Sequence, residues 1–318
     1  MSRRFARPTS STDIRRSQYR GRFAPTPSGA LHFGSLVAAV ASYADARAAG
    51  GEWSIRIEDV DVPRAREGAA DAILRALERY GFTWDGTVVR QSRRTEAYEA
   101  ALGALHARGL TYRCGCTRAD LIALPPGPLG ERVYPGTCRN GVRAARAHNA
   151  CAIRVRVPVS PIAFVDRVFG AQVQRLALDV GDFAVRRSDG VFAYQLAVVV
   201  DDAMQGITDV VRGADLLAST PRQIFLQQAL SYAAPRYMHV PVAIDASGAK
   251  LSKSAGSARL PRSPLSALVA AWRFLGQAPI DTPSSVEDFW RFAIPRWQPK
   301  RVPATPTRAA PGHLPANV

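Results

Sequence analysis

Residues 21–50 change character twice within a few positions. Gly21-Arg22-Phe23-Ala24 reads as a short apolar strand, Pro25-Thr26-Pro27-Ser28-Gly29 breaks it, and Leu36, Val37, Val40, Ala41 and Ala44 then recur at helical spacing up to Gly50-Gly51. A strand that stops at a tight turn and restarts as a helix is the opening unit of an α/β fold. The helix start aims its free N–H groups and the positive end of its dipole at the turn, which makes the turn an anion site. Gly29 and Gly34 remove side chains that would hold a nucleotide off the backbone, and His32 can donate to a phosphoryl oxygen.

The alternation continues. A strand over 53–57 is followed by a helix over 69–80 stopped by Gly81 and a helix over 93–108 stopped by Gly109. The second half predicts a hairpin, 183–187 with 191–195 about Ser188-Asp189-Gly190. A helix begins at Thr220-Pro221, with Thr220 as N-cap and Gln223 completing a capping box, and another runs from Ser263-Pro264 to about 275. Alternating strands and helices predict a doubly wound, Rossmann-type parallel sheet with helices on both faces, whose ligand lies beyond the carboxyl ends of the strands.

Of 42 basic residues only three are lysines, and two of them share the segment Lys250-Leu251-Ser252-Lys253-Ser254. A chain that otherwise uses arginine has placed two compact ammonium groups in a small-residue loop, which suits closure over a triphosphate better than a planar guanidinium fork. The formal net charge of +16 suits a polyanionic partner. Cys114-Gly115-Cys116 with Cys138 after Tyr134-Pro135-Gly136-Thr137 suggests a zinc knuckle, for which spacing nominates Cys151 or His148 as fourth ligand. Cys151 also opens an alternating strand, where a small buried residue is the ordinary occupant.

Leu31-His32-Phe33-Gly34-Ser35 and the Lys250 to Ser254 loop resemble the two signature motifs of class I aminoacyl-tRNA synthetases. Arg22-Phe23-Ala24-Pro25-Thr26-Pro27-Ser28-Gly29, Arg56-Ile57-Glu58-Asp59, Phe192-Ala193-Tyr194-Gln195-Leu196-Ala197-Val198-Val199-Val200-Asp201-Asp202 and Val211-Arg212-Gly213-Ala214-Asp215 narrow the resemblance to the glutamate branch, in matching order over about 20–275. Within it, the chain resembles the truncated paralogues that esterify glutamate onto queuosine in tRNA(Asp). Ser35 departs from the final histidine of the first motif.

The resemblance implies L-glutamate, ATP with Mg2+ and queuosine-containing tRNA(Asp) as partners, and tRNA-independent formation of glutamyl-adenylate before transfer to the cyclopentenediol of queuosine. It implies catalytic roles for His32, Lys250 and Lys253, and ATP contacts from His32, Gly34, Lys250, Ser252 and Lys253. It places glutamate against Arg22, Phe23, Ala24, Pro25, Thr26, Glu58, Tyr194 and Arg212. Chemistry agrees with that set, since glutamate's two carboxylates need fixed cations and its ammonium needs an anion. The resemblance also implies Cys114, Cys116, Tyr134 and Cys138 as ligands of one structural zinc.

The expected organisation is a basic flexible arm over 1–19, a catalytic core over 20–262 with a zinc-bearing insertion at about 110–150, a short helical part over 263–294, and a disordered Pro/Ala/Arg-rich tail over 295–318. The 64 residues after the lysine loop leave no room for an anticodon-binding domain, which favours the queuosine acceptor. The alternative is a minimal glutamyl-tRNA synthetase charging a tRNA 3′ end; a small-molecule adenylating enzyme and a zinc-bearing RNA-binding module are further rivals. No run approaches the roughly 20 apolar residues of a membrane span, and the expectation is a cytoplasmic monomer.

Overall fold

The computed structural model describes residues 19–61, 65–128, 130–146, 150–245, 247–251 and 263–311. The expectations for the arm over 1–18, for Ser252, Lys253 and His148, and for 312–318 lie outside these residues. The first half contains β1 (Arg20–Phe23), α1 (Phe33–Ala48), β2 (Glu52–Ile57), α2 (Ala69–Arg79), β3 (Val89–Arg90), α3 (Thr95–Ala107), β4 (Thr111–Cys114), α4 (Arg118–Ile122) and β5 (Ala152–Val155). It continues with β6 (Ile162–Asp166), β7 (Gly170–Gln174), α5 (Leu176–Asp179), β8 (Ala184–Arg186), α6 (Tyr194–Met204), β9 (Asp209–Gly213), α7 (Thr220–Leu230), β10 (Arg236–Val240) and β11 (Val242–Ile244). The last described elements are α8 (Pro264–Phe274), α9 (Val286–Arg296) and β12 (Thr307–Ala309).

β1, β2 and β3 pair in parallel, and β9, β10 and β6 form a second parallel set with β7 antiparallel at its edge. The two sets meet where β1 runs beside the approach to β9, with Thr208 N–H donating to Arg20 O at 2.9 Å. Neighbouring residues on these strands serve opposite faces. Val211, Met238 and Val240 join one core with Phe33, Leu36, Trp53, Leu77, Leu268, Trp272 and Phe289, whereas Val210 and Tyr237 join the other with Tyr98, Leu196, Val199, Ile224 and Leu226. Helices therefore cover both faces, as the alternation of apolar patterns requires. Among the described residues no helix is long and apolar enough to cross a membrane.

Three local expectations differ from the structure. The residues from 295 to 311 are not a disordered tail: Trp297 and Val302 are buried, and β12 pairs in parallel with β11. Composition misreads this stretch because strand pairing uses backbone groups, and two well-placed apolar side chains suffice to dock it. Thr220 is not the N-cap of α7; that position is Ser219, and Thr220 is buried with its hydroxyl facing Arg212. Gln223 accordingly bonds Gln195 rather than completing a capping box. The hairpin closes at Arg187 and Val191, yet its second strand is only a bridge at Phe192, since α6 begins at Tyr194.

Candidate active site and thiol cluster

A cavity of about 940 Å³ opens at the carboxyl ends of β1, β2, β9 and β10, at the switch between the two parallel sets. Its lining includes Arg22 through Thr26, His32, Gly34, Glu58, Tyr194, Arg212 and Lys250. Residues spread over 228 positions are thus gathered by the topology alone, as a doubly wound sheet dictates. Ser252 and Lys253 fall outside the described residues.

On the turn side, His32 caps α1, its Nδ1 accepting from Ser35 N–H at 3.2 Å. Its Nε2 lies 3.0 Å from the Ser35 hydroxyl, so the departure from the family motif is the ring's own partner. Burial, and then Lys250, hold the imidazole below its ordinary pKa, which leaves it a neutral donor and acceptor. A Cβ at Gly34 would just touch the His32 ring, at 3.4 Å, whereas Gly29 faces open space. Lys250 closes the far side of the cavity, bonded to the Asp215 carboxylate.

The opposite wall is a buried lattice of opposite charges. Arg22 donates to Asp202 through Nε at 3.0 Å, and Arg56 donates to Asp202 at 2.8 Å and to Gln205 at 2.7 Å. Glu58 lies 3.5 Å from Arg56, with 8% of its side chain exposed. Burial pushes the Glu58 carboxyl up despite Arg56 and Arg22 beside it. Asp202, although buried, is held below the usual carboxylate range by Arg22 and Arg56. Burial, and then Glu58, push the Tyr194 phenol up to about 12, so it remains a hydroxyl donor at neutral pH. Arg212 donates through Nε to His239 Nε2 at 3.0 Å and through Nη2 to Thr220 at 2.8 Å, while its Nη1 is buried without a hydrogen-bond partner. A wall with an unsatisfied guanidinium nitrogen, a carboxylate and a phenol can hold a zwitterion that carries an extra carboxylate.

Sequence alone assigns no role to Arg56, Asp201, Asp202, Asp166 or His239. The signals were visible: Asp201-Asp202 interrupts an apolar helix, and His239 sits between Met238 and Val240 in a strand. Buried charges of this kind require partners.

The cysteines gather at the end of the β4–β5–β8 sheet. Among the described residues, Cys114, Cys116 and Cys138 have their Sγ atoms within 4.8 Å of one another, and Cys116 and Cys138 are 3.7 Å apart. The Tyr134 hydroxyl lies 3.3 Å from Cys114 Sγ and 3.6 Å from Cys116 Sγ, and accepts from Cys138 N–H at 3.1 Å. Tetrahedral zinc with bonds of about 2.3 Å to sulfur and about 2.0 Å to oxygen needs S–S edges of about 3.75 Å and S–O edges of about 3.5 Å. Three edges, Cys116–Cys138, Tyr134–Cys114 and Tyr134–Cys116, lie close to those lengths, and the three thiols are near enough together to hold a metal ion. Cys151 is not part of the cluster.

A family model described as tRNA synthetases class I (E and Q), catalytic domain, matches residues 18–260. The chain is 54% identical to the glutamyl-Q tRNA(Asp) synthetase of Dechloromonas aromatica, across 90% of this chain and 96% of that protein. It is 51% identical to the protein of that name from Aromatoleum aromaticum, across 94% and 95% of the two. The glutamate-tRNA synthetase of Elizabethkingia anophelis shares the fold with a TM-score of 0.77 at 23% identity, over 93% of this chain and 69% of that one. The arrangement of strand, turn, cavity and signature residues, together with these relatives, places the chain in the class I (E and Q) tRNA synthetase family, among its glutamyl-Q tRNA(Asp) synthetases.

Proposed function

We propose that the chain activates L-glutamate with ATP and transfers it to the cyclopentenediol of queuosine in tRNA(Asp). The observation that carries this reading is identity above 50% along nearly the whole length of relatives bearing the glutamyl-Q name. The cavity wall supplies the chemistry. Arg22 and Arg212 hold carboxylates, Glu58 takes the ammonium, and Tyr194 and the 22–26 backbone close the pocket around them. An oxygen of one glutamate carboxylate attacks the α-phosphorus of ATP, the bond to the leaving pyrophosphate breaks, and Mg2+ travels with the nucleotide. His32 and the start of α1 serve the α-phosphate, and Lys250 with Lys253 the pyrophosphate, so the rate comes from positioning and from stabilising developing charge. A queuosine hydroxyl then attacks the activated carbonyl and AMP departs.

Cys114, Cys116, Tyr134 and Cys138 would hold one zinc. Four protein ligands leave no open position, so the ion would brace the β4–β5–β8 end of the molecule without joining the reaction.

The test is transfer of labelled glutamate, with ATP, onto tRNA(Asp) from cells that do or do not make queuosine. Labelling of the queuosine-containing tRNA alone is the expected result. Labelling of a terminal adenosine, on tRNA(Glu) or on both tRNA(Asp) samples, would show a minimal glutamyl-tRNA synthetase instead.

A further inference from the structure

Arg212 is held in an unusual way for a carboxylate anchor. Among the described residues no acidic side chain hydrogen-bonds to it; its Nε instead donates to the Nε2 of a histidine on the adjacent strand, at 3.0 Å. That bond requires a lone pair on His239 Nε2, hence a proton on Nδ1, and the ring's other neighbour enforces that tautomer. Asp166 Oδ2 lies 2.7 Å from His239 Nδ1, and its Oδ1 is fixed by the N–H groups of Val168 and Phe169, each at 2.9 Å. Neither His239 nor Asp166 is more than 1% exposed. Burial lowers the His239 pKa to about 4, so the ring is neutral at neutral pH and does not repel the guanidinium.

Thr220 completes the mounting. Its hydroxyl donates to Leu216 O at 3.2 Å, which leaves its lone pairs for Arg212 Nη2 at 2.8 Å. With Nε and Nη2 tied into the protein, the plane of the guanidinium is fixed, and Nη1 is left as the buried, unpartnered nitrogen in a residue that lines the cavity. A neutral mount has a chemical advantage over a carboxylate one. It keeps the nearest carboxylate of the mount, Asp166, one imidazole away from the guanidinium, so less of the Arg212 charge is offset while its Nε–H still has an acceptor.

We propose that His239, its tautomer set by Asp166, is a positioning residue that aims Arg212 at a substrate carboxylate and thereby governs selection of the dicarboxylic amino acid. This rests on the reading of Arg212 as a carboxylate anchor. The essential element of the device is the acceptor at the Nε2 position, not the ring: a glutamine amide oxygen can occupy that place, while an asparagine side chain mimics only the Nδ1 side.

The experiment is glutamate-dependent ATP–pyrophosphate exchange with His239→Asn, His239→Gln, Asp166→Asn and Arg212→Gln, each checked for its folded fraction by thermal melting. His239→Asn and Asp166→Asn are expected to raise the KM for glutamate tenfold or more with the KM for ATP within about twofold, and His239→Gln to recover most of the loss. An unchanged glutamate KM in His239→Asn, beside a raised one in Arg212→Gln, would overturn the mount and leave the anchor standing. No change in Arg212→Gln would overturn the anchor itself. A fall in exchange rate that tracks loss of folded protein, with neither KM moved, would reduce His239 to a fold-supporting role and overturn the proposal.

Discussion

Replacing Glu58 with glutamine separates binding from stability, because the two are expected to move in opposite directions. The Glu58 carboxylate would face the substrate ammonium, and two unit charges about 4 Å apart at an effective dielectric near 20 attract by about 4 kcal/mol. The amide oxygen of glutamine keeps a hydrogen bond worth about 1 kcal/mol, so the net loss is about 3 kcal/mol, or on the order of a hundredfold in the KM for glutamate. In the free protein the same carboxyl is pushed up by burial. A carboxylate whose folded pKa lies above its unfolded value stabilises the fold at low pH, and that contribution is lost as pH rises past the unfolded value toward the folded one. Carrying the charge at neutral pH therefore costs stability, and Glu58→Gln should melt at a higher temperature than the wild type while exchanging pyrophosphate with a far higher glutamate KM and an unchanged ATP KM. The wild-type glutamate KM should also rise as pH falls through the raised value, whereas the variant's stays flat. A glutamate KM within about threefold of wild type, or a lower melting temperature, would refute the assignment.

Three further outcomes follow from the geometry. Metal analysis should find one zinc per chain in the wild type and none in Cys138→Ser, with a lower melting temperature but undiminished exchange per folded molecule; a metal-free wild type would remove the zinc assignment. Gly181→Ala should destabilise and lower zinc retention, because the residue has φ +71° and an added Cβ would sit 2.1 Å from the Tyr134 carbonyl oxygen; unchanged zinc content and melting would show that Tyr134 is not held by this contact. Trp297→Ala should cost about 3–5 kcal/mol of stability with unchanged substrate KM values, measured by denaturant unfolding; a loss under about 1 kcal/mol would mean that the 295–311 segment is not docked as described.

What the sequence conveyed and what it withheld divide along contact range. The 21–36 segment announces its strand, turn and helix because prolines, glycines and apolar spacing act locally, and Glu58 stands at a strand end that periodicity marks. Arg212 could be picked out as a cation after a strand. Its mount could not, because His239 lies 27 residues away and becomes a neighbour only through parallel pairing of β9 with β10. Arg22 likewise meets Asp202 across 180 positions. Thr220 followed by Pro221 carries a strong local capping signal, yet a tertiary bond to Arg212 claims its hydroxyl instead. Composition misleads over 295–311 for a related reason: Pro, Ala and Arg describe side chains, and β12 is held chiefly by backbone bonds, Val242 N–H to Pro306 O at 3.0 Å and Ala310 N–H to Ile244 O at 2.9 Å.

The reach of these contacts also bears on how the chain is made. Asp45 on α1 accepts a hydrogen bond from Trp297, 252 residues further along, and Tyr80 O accepts one from Trp290 across 210. At a synthesis rate of about 5–20 residues per second, a nascent chain would carry the apolar flank of α1 for roughly 10 to 50 s before the tryptophan that covers it leaves the ribosome. During that interval Phe33, Leu36 and Val40 lack the α8 and α9 packing that buries them in the finished fold. α1 is thus translated early yet sealed late, and growth conditions that slow elongation or deplete chaperones should reduce the yield of folded enzyme before they affect its specific activity.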